Sequence, residues 1–171
     1  EHLNDRGIEV AALDASGLLA DRRWEGRLVI PWADAWGHIR TIAARDLSGT
    51  AEEGAKYLYL KGGTKPPAFG LDVALRTAEG KRDLVLVEGL LDVVAFQAQG
   101  VRNVAALGGA GDLLTKDRWE ALAGLGVRQV TLALDSDAAG RAGLVKALDN
   151  LRNVPDGPVC YVVDPDELGE H

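Results

Sequence analysis

Acidic residues gather where apolar runs end, and their spacing is the first feature of this sequence with chemical content. Residues 84–87, all apolar, run into Glu88-Gly89, with Asp92 one helical turn further on. Residues 130–134 run into Asp135-Ser136-Asp137, and residues 159–163 run into Asp164-Pro165-Asp166-Glu167. A single acid after a strand is an ordinary helix cap. Several such ends along one sheet edge are different, because carboxylates brought together repel one another unless cations neutralise them. Hard oxygen ligands suit magnesium or manganese. Paired divalent ions held by carboxylates are the usual apparatus of in-line phosphoryl transfer. The alternative is an acidic edge with a purely structural role. A fourth run, residues 104–107, enters Gly108-Gly109-Ala110-Gly111. Such a turn can aim backbone amides at phosphate, but it has neither P-loop nor dinucleotide-fingerprint spacing and reads as a tight turn.

The elements that must position these residues follow a regular rhythm. After residues 84–87, Leu90, Leu91, Val94, Ala95 and Ala98 repeat at helical spacing. Trp119, Leu122 and Ala123 mark a helix after residues 104–107, and Leu144, Val145, Leu148 and Leu151 mark another after residues 130–134. Continuous apolar strands alternating with amphipathic helices predict a parallel sheet of about four strands, flanked by helices and covered on both faces. Ligands of such sheets bind at the carboxyl ends of the strands. Residues 1–80 read differently, as a small mixed α+β part. Strands are expected at residues 27–32 and 38–45 with a turn over residues 35–37, giving a hairpin. A third short strand is expected at residues 56–60, and the Gly- and Pro-rich residues 62–67 read as a loop. The predicted division is therefore residues 1–80 and residues 81–171.

Composition narrows the classes further. The chain has 171 residues and a formal net charge of −7, which argues against an indiscriminate nucleic-acid coat. The charge is unevenly placed. Residues 84–171 carry 7 basic and 13 acidic side chains, whereas residues 22–65 carry 8 basic and 5 acidic ones. Either this is surface variation, or a basic strip faces an acidic cluster where metal ions and phosphates meet. The single cysteine, Cys160, excludes an internal disulfide framework and a cysteine-rich zinc site, and its apolar run predicts a buried thiol. His2, His38 and His171 lack metal-ligand spacing. Trp24, Trp32, Trp36 and Trp119 could stack on bases, but packing in the core or hairpin is the expected role of each. No apolar stretch approaches the roughly 18–20 residues of a membrane helix, so a soluble, cytoplasmic protein is expected. The absence of methionine predicts a piece excised from a longer protein.

With these residues in place, the sequence resembles the Toprim family. Glu88-Gly89 after one strand and Asp135-Ser136-Asp137 after another resemble its Glu-Gly and Asp-x-Asp signature, found in bacterial-type primases, type IA and type II topoisomerases and some nucleases. Further matches resemble the primase branch. Residues 85–93 resemble V-V-V-E-G-Y-M-D-V, residues 135–141 resemble D-G-D-x-A-G-R, and residues 164–168 resemble D-P-D-x-L. In the first part, residues 26–31 resemble x-R-V-M-F-P, Ala44-Arg45 with Lys56-Tyr57-Leu58 resembles G-R... K-Y-L-N, and Phe69-Gly70-Leu71 resembles Y-G-L. Residues 3–8 are similar to Y-L-x-x-R-G-L. Two departures stand out: Tyr59 occupies the place of the pattern's Asn, and the Gly-rich turn after residue 107 is longer than the family's S-L-G-T.

The resemblance implies a Toprim fold and the catalytic core of a DNA primase, synthesising short RNA primers on single-stranded DNA. It implies that Glu88, Asp135 and Asp137 are catalytic. It also implies that Glu88, Asp92, Asp135, Asp137, Asp164 and Asp166 bind more than one Mg2+ or Mn2+ ion, with no zinc in this stretch. An acid or base role for Glu88 is the alternative. Arg45, Lys56, Lys65, Arg27 and Arg40 would contact nucleotide phosphates or template, against the alternative of a solvated hairpin face. The implied partners are a single-stranded DNA template, ribonucleoside triphosphates, the RNA–DNA hybrid and, through other parts of the parent protein, a replicative helicase. Rival readings are a Toprim nuclease or topoisomerase fragment, whose tyrosine nucleophile could only be Tyr57, Tyr59 or Tyr161, and a non-catalytic Toprim module that binds nucleic acid. A phospho-acceptor receiver of the doubly wound class lacks its paired acids and lysine here.

Overall fold

The computed structural model describes residue 24 and residues 26–49, 56–77, 82–108, 114–135 and 138–163, the last stretch without the side chains of residues 138 and 139. The expectations placed on residues 3–8, the Gly109–Gly111 part of the turn, Asp137, Asp164 and Asp166 lie outside these residues.

A hairpin opens the described chain. Strand β1 (Arg27–Ala33) pairs antiparallel with β2 (Ile39–Asp46), and β3 (Tyr57–Tyr59) adds to the far side of β2. The connection is fixed by Asp34, whose Oδ1 accepts the backbone N–H groups of Trp36 and His38, both at 3.0 Å. Gly37 supplies the left-handed residue of the turn, at φ +88°. Some desolvation raises the pKa of Asp34, but those N–H groups, with the charges of His38 and Arg40, hold it below the ordinary carboxylate range.

Alternation along β1 and β2 makes the sheet two-faced. Leu28, Ile30, Trp32 and Ala43 point one way, while Val29, Ile42 and Ala44 point the other and pack with Trp24 and Leu58. The chain then passes Phe69, which exchanges backbone hydrogen bonds with Ala106 at 2.8 and 2.9 Å, into helix α1 (Leu71–Thr77).

The expected parallel sheet follows. Strands β4 (Asp83–Val87), β5 (Val104–Ala106), β6 (Gln129–Ala133) and β7 (Val159–Val162) lie in the order β5-β4-β6-β7, all parallel. They are joined by helices α2 (Leu90–Ala98), α3 (Lys116–Gly124) and α4 (Ala138–Leu151). Leu84, Leu86, Val130 and Leu132 face a core that includes Leu71 of α1, Trp119 and Leu122 of α3, and Ala147 of α4. The Trp119 indole donates to the Ala147 carbonyl at 2.9 Å, pinning α3 to α4. On the opposite face, Val87, Val104 and Ala106 meet Leu90 and Val93 of α2 together with the inner face of the hairpin sheet. One apolar cluster therefore joins the antiparallel and parallel sheets.

Three expectations about packing are corrected. Trp36 is 73% exposed, because it sits at the tip of the hairpin turn. Val145 is exposed because the buried side of α4 runs through Gly140, Gly143 and Ala147. The sheet is not covered on both faces at β7: Val159 and Tyr161 are 58% and 53% exposed. Among the described residues the apolar cluster on that face gathers residues of α2, β1, β2, β4 and β5, and includes none from β7. Cys160 packs partly against the other core, and burial pushes its thiol above the ordinary range.

Trp32 is fully buried in the cluster that joins the two sheets. Trp32→Ala is expected to cost about 3–5 kcal/mol in urea denaturation, with fluorescence and circular dichroism still moving together. A raised thiol pKa leaves less thiolate at a given pH. Cys160 should accordingly react with iodoacetamide at pH 8 more slowly than free cysteine, and catch up only at higher pH.

Candidate catalytic edge of the parallel sheet

Strand register decides which acids can meet. Val87 of β4 is level with Ala133 of β6, so Glu88 and Asp135 leave neighbouring strands at the same carboxyl edge, one residue apart in register. Adjacent strands lie about 4.8 Å apart. Glu88 is half-buried and Asp135 exposed. The Glu88 carbonyl accepts the Gly108 N–H at 3.2 Å, so the ends of β4 and β5 are tied together there.

Gly89 and Asp92 form one unit behind Glu88. Gly89 is the N-cap of α2 in an extended conformation, and Asp92 in the first turn turns back so that its Oδ2 accepts the Gly89 N–H at 3.1 Å. That satisfies one orphan donor and puts negative charge at the positive end of the helix. A Cβ at position 89 would stand 2.5 Å from that same oxygen. The Glu-Gly pair thus has a local physical reason: glycine leaves the space that the Asp92 carboxylate fills.

The basic candidates separate. Arg45 lies on the inner face of β2, half-buried, donating to the Tyr57 hydroxyl at 2.8 Å with its guanidinium 5.3 Å from that ring's centre. Lys56 is exposed just before β3, where its carbonyl accepts the Asp46 N–H at 3.0 Å. Arg27 opens β1 and reaches the Ala44 carbonyl at 3.5 Å. Arg40 is near the hairpin turn, 3.8 Å from Asp34, at the other end of the sheet from Arg27 and Lys56. Lys65 is linked to the end of β5 through Tyr59. Its ammonium lies 3.6 Å from the centre of the Tyr59 ring, and the Tyr59 hydroxyl donates to the Gly108 carbonyl at 2.8 Å. Such a cation–ring contact is worth about 0.5–2 kcal/mol according to its exposure. Trp32 braces Tyr59 and Phe69 with ring centres 6.5 and 5.9 Å away.

The donor set at the edge is entirely carboxylate, which fits a hard divalent cation. Among the described residues no group of three or more His, Cys, Asp or Glu stands close enough to hold one; Asp137, Asp164 and Asp166 are not among them. No helix of the described residues is long and apolar enough to cross a membrane.

This arrangement of strands, glycine turn and acids has known counterparts. Residues 85–168 match the Toprim-like family, so the parallel-sheet half is a Toprim domain. Over most of its length the chain is also similar to bacterial DNA primases and to their solved catalytic cores. The DNA primase of Treponema pallidum is 34% identical over 161 residues, covering 86% of this chain and 25% of that protein. The E. coli primase catalytic core superposes with a TM-score of 0.68 at 25% identity, covering 97% of this chain and 58% of that one. The RNA polymerase domain of Mycobacterium tuberculosis primase, solved in complex with double-stranded DNA, gives a TM-score of 0.60 at 27% identity, covering 95% of this chain and 55% of that one. The chain spans about a quarter of the length of the curated relatives it matches.

Sequence reasoning missed Tyr59 as a contact. Its place in the K-Y-L-N pattern marked it as a departure, but its ring holds the Lys65 cation and its hydroxyl reaches Gly108, 49 residues away.

If Gly89 and Asp92 act as one cap, Gly89→Ala and Asp92→Ala should each cost about 1 kcal/mol in urea denaturation. The double variant should cost little more than either alone.

Proposed function

We propose that this chain is the polymerising core of a DNA primase, joining ribonucleoside triphosphates into short RNA primers on a single-stranded DNA template. The observation that carries this reading is the emergence of Glu88 and Asp135 from neighbouring strands, one residue apart in register, at the carboxyl edge of a Toprim sheet. In this reading Glu88, Asp92, Asp135, Asp137, Asp164 and Asp166 hold more than one magnesium or manganese ion, with Glu88, Asp135 and Asp137 nearest the reaction. Bound there, such ions would stabilise the attacking and leaving oxygens of nucleotidyl transfer. The chain's own part is orientation: the Gly89 N–H fixes one oxygen of Asp92, and the Gly108 N–H fixes the backbone beneath Glu88.

Residues 1–80 supply the basic half in this proposal, with Arg45, Lys56 and Lys65 on phosphates of nucleotide, template or RNA–DNA hybrid and Arg27 and Arg40 further out. Residues 81–171 supply the acidic half. Base choice comes from the template, so these cations read backbone rather than sequence. The cytoplasm is the expected compartment, and a replicative helicase the expected partner of the parent protein. The topoisomerase alternative finds no support in the tyrosines. Tyr57 and Tyr59 are engaged with Arg45 and Gly108, and Tyr161 is on β7 in the middle of a strand.

The test is a denaturing gel with single-stranded template, annealed RNA primer, ribonucleotides and magnesium or manganese. Primer extension lost in both Glu88→Gln and Asp135→Asn supports the proposal; strand cleavage without extension replaces it with the nuclease reading. Template affinity should fall linearly on a log–log plot against salt. Removing one phosphate contact, as in Lys56→Ala, should flatten that slope by about 0.7.

A further inference from the structure

An unbroken chain of contacts runs from the cation of Lys65 to the backbone of Glu88. The Lys65 ammonium rests on the Tyr59 ring at 3.6 Å, and is 5.9 Å from the Trp32 ring. The Tyr59 hydroxyl donates to the Gly108 carbonyl at 2.8 Å, and the Gly108 N–H donates to the Glu88 carbonyl at 3.2 Å. Tyr59 itself cannot shift easily. It is held in β3 by pairing with Ala43, and its ring belongs to the cluster around the fully buried Trp32.

We propose that Tyr59 is a positioning residue. Its ring fixes where the Lys65 cation stands, and its hydroxyl fixes that cation's support to the glycine turn beside Glu88. Lys65 is thereby presented to the polyphosphate of a bound nucleotide at the acidic edge. An asparagine, which the primase pattern places here, has no ring face to hold a cation. In this chain the aromatic substitution therefore makes polyphosphate binding depend on the β3 side chain through Lys65. The identity of the ligand as a nucleoside triphosphate rests on the primase reading, whereas the Lys65–Tyr59–Gly108 linkage does not.

The physical reason for the dependence is entropic. A lysine has a long stem with many rotamers, and a cation confined on an aromatic face has lost part of that freedom before the ligand arrives. An anion meeting a placed cation therefore binds more tightly than one that must gather a mobile side chain.

The test uses the full chain as wild type, Tyr59→Phe, Tyr59→Leu, Lys65→Ala and the Tyr59→Leu/Lys65→Ala double variant. The probe is inorganic tripolyphosphate with magnesium, followed by calorimetry. Lysine-ε-13C NMR, with Lys65→Ala giving the assignment, reads the position of the cation. The ring-current shift of Lys65 should be present in the wild type and Tyr59→Phe and absent in Tyr59→Leu. Tripolyphosphate binding should weaken about three- to tenfold in Tyr59→Leu, on the scale of a lost cation–ring contact. The double variant should bind no more weakly than Lys65→Ala alone, because the ring acts through the lysine. Tyr59→Phe, which lacks only the hydroxyl, should show faster amide exchange at Gly108.

An unshifted Lys65 signal in the wild type overturns the proposal. So does an equal loss from Tyr59→Leu with and without Lys65, or a wild type that binds no tripolyphosphate. If Tyr59→Leu fails to fold, the shift in the wild type and the Gly108 exchange in Tyr59→Phe still decide the matter. If the cycle behaves as expected while no RNA is made, the primase reading fails and the positioning role of Tyr59 stands.

Discussion

The register of β4 against β6 is the constraint on which the rest of this structure turns. Acids that leave neighbouring strands keep their places only where the strands beneath them cannot slide. The register of Val87 against Ala133 removes that freedom, since slipping one residue would carry each apolar side chain to the opposite face. Both faces of β4 are committed: Leu84 and Leu86 to one core, Val87 to the other. The sheet is thus a rigid support for the acids that leave its carboxyl edge.

The hairpin sheet completes that support from one side. Its inner face gives Leu28, Ile30, Trp32 and Ala43 to the core over β4 and β5, and the same face carries Tyr59 and Arg45. Packing and charge placement are therefore one problem here. The apolar residues that bind the antiparallel sheet to the parallel one share their face with the Tyr59 ring that holds Lys65. Arg40, close to the hairpin turn and 3.8 Å from Asp34, lies apart from this arrangement.

Much of this was legible in the residues. Unbroken apolar runs and helical repeats marked the parallel sheet, and the Ala35-Trp36-Gly37 turn marked the hairpin. Glu88 and Asp135 were legible as edge acids because strand ends and their following residues are local in sequence. What sequence did not carry was the third dimension of coverage. The run at β7 is as apolar as the others, but whether anything lies over Val159 and Tyr161 depends on how far α2 and the hairpin extend across the sheet. Trp36 has the composition of a packing residue and the position of a turn residue, and position prevails. The role of Tyr59 was hidden because its partner Gly108 lies on a different sheet, at a separation no local pattern spans. The steric reason for Gly89 was equally out of sight, since it depends on which way the Asp92 side chain turns.

The core shared between the two sheets has a consequence for the order in which the molecule is assembled on the ribosome. The hairpin, β1 with β2, is synthesised first and can close on its own short turn. Its inner face, with Leu28, Ile30 and Trp32, meets Tyr59 and Phe69 early but lacks the rest of its partner surface until residues 87–106 have emerged. At about 5–20 residues per second this leaves a large aromatic face open to water for several seconds. The antiparallel sheet is made before the parallel one and must wait for it, so the interface between them is the last to form.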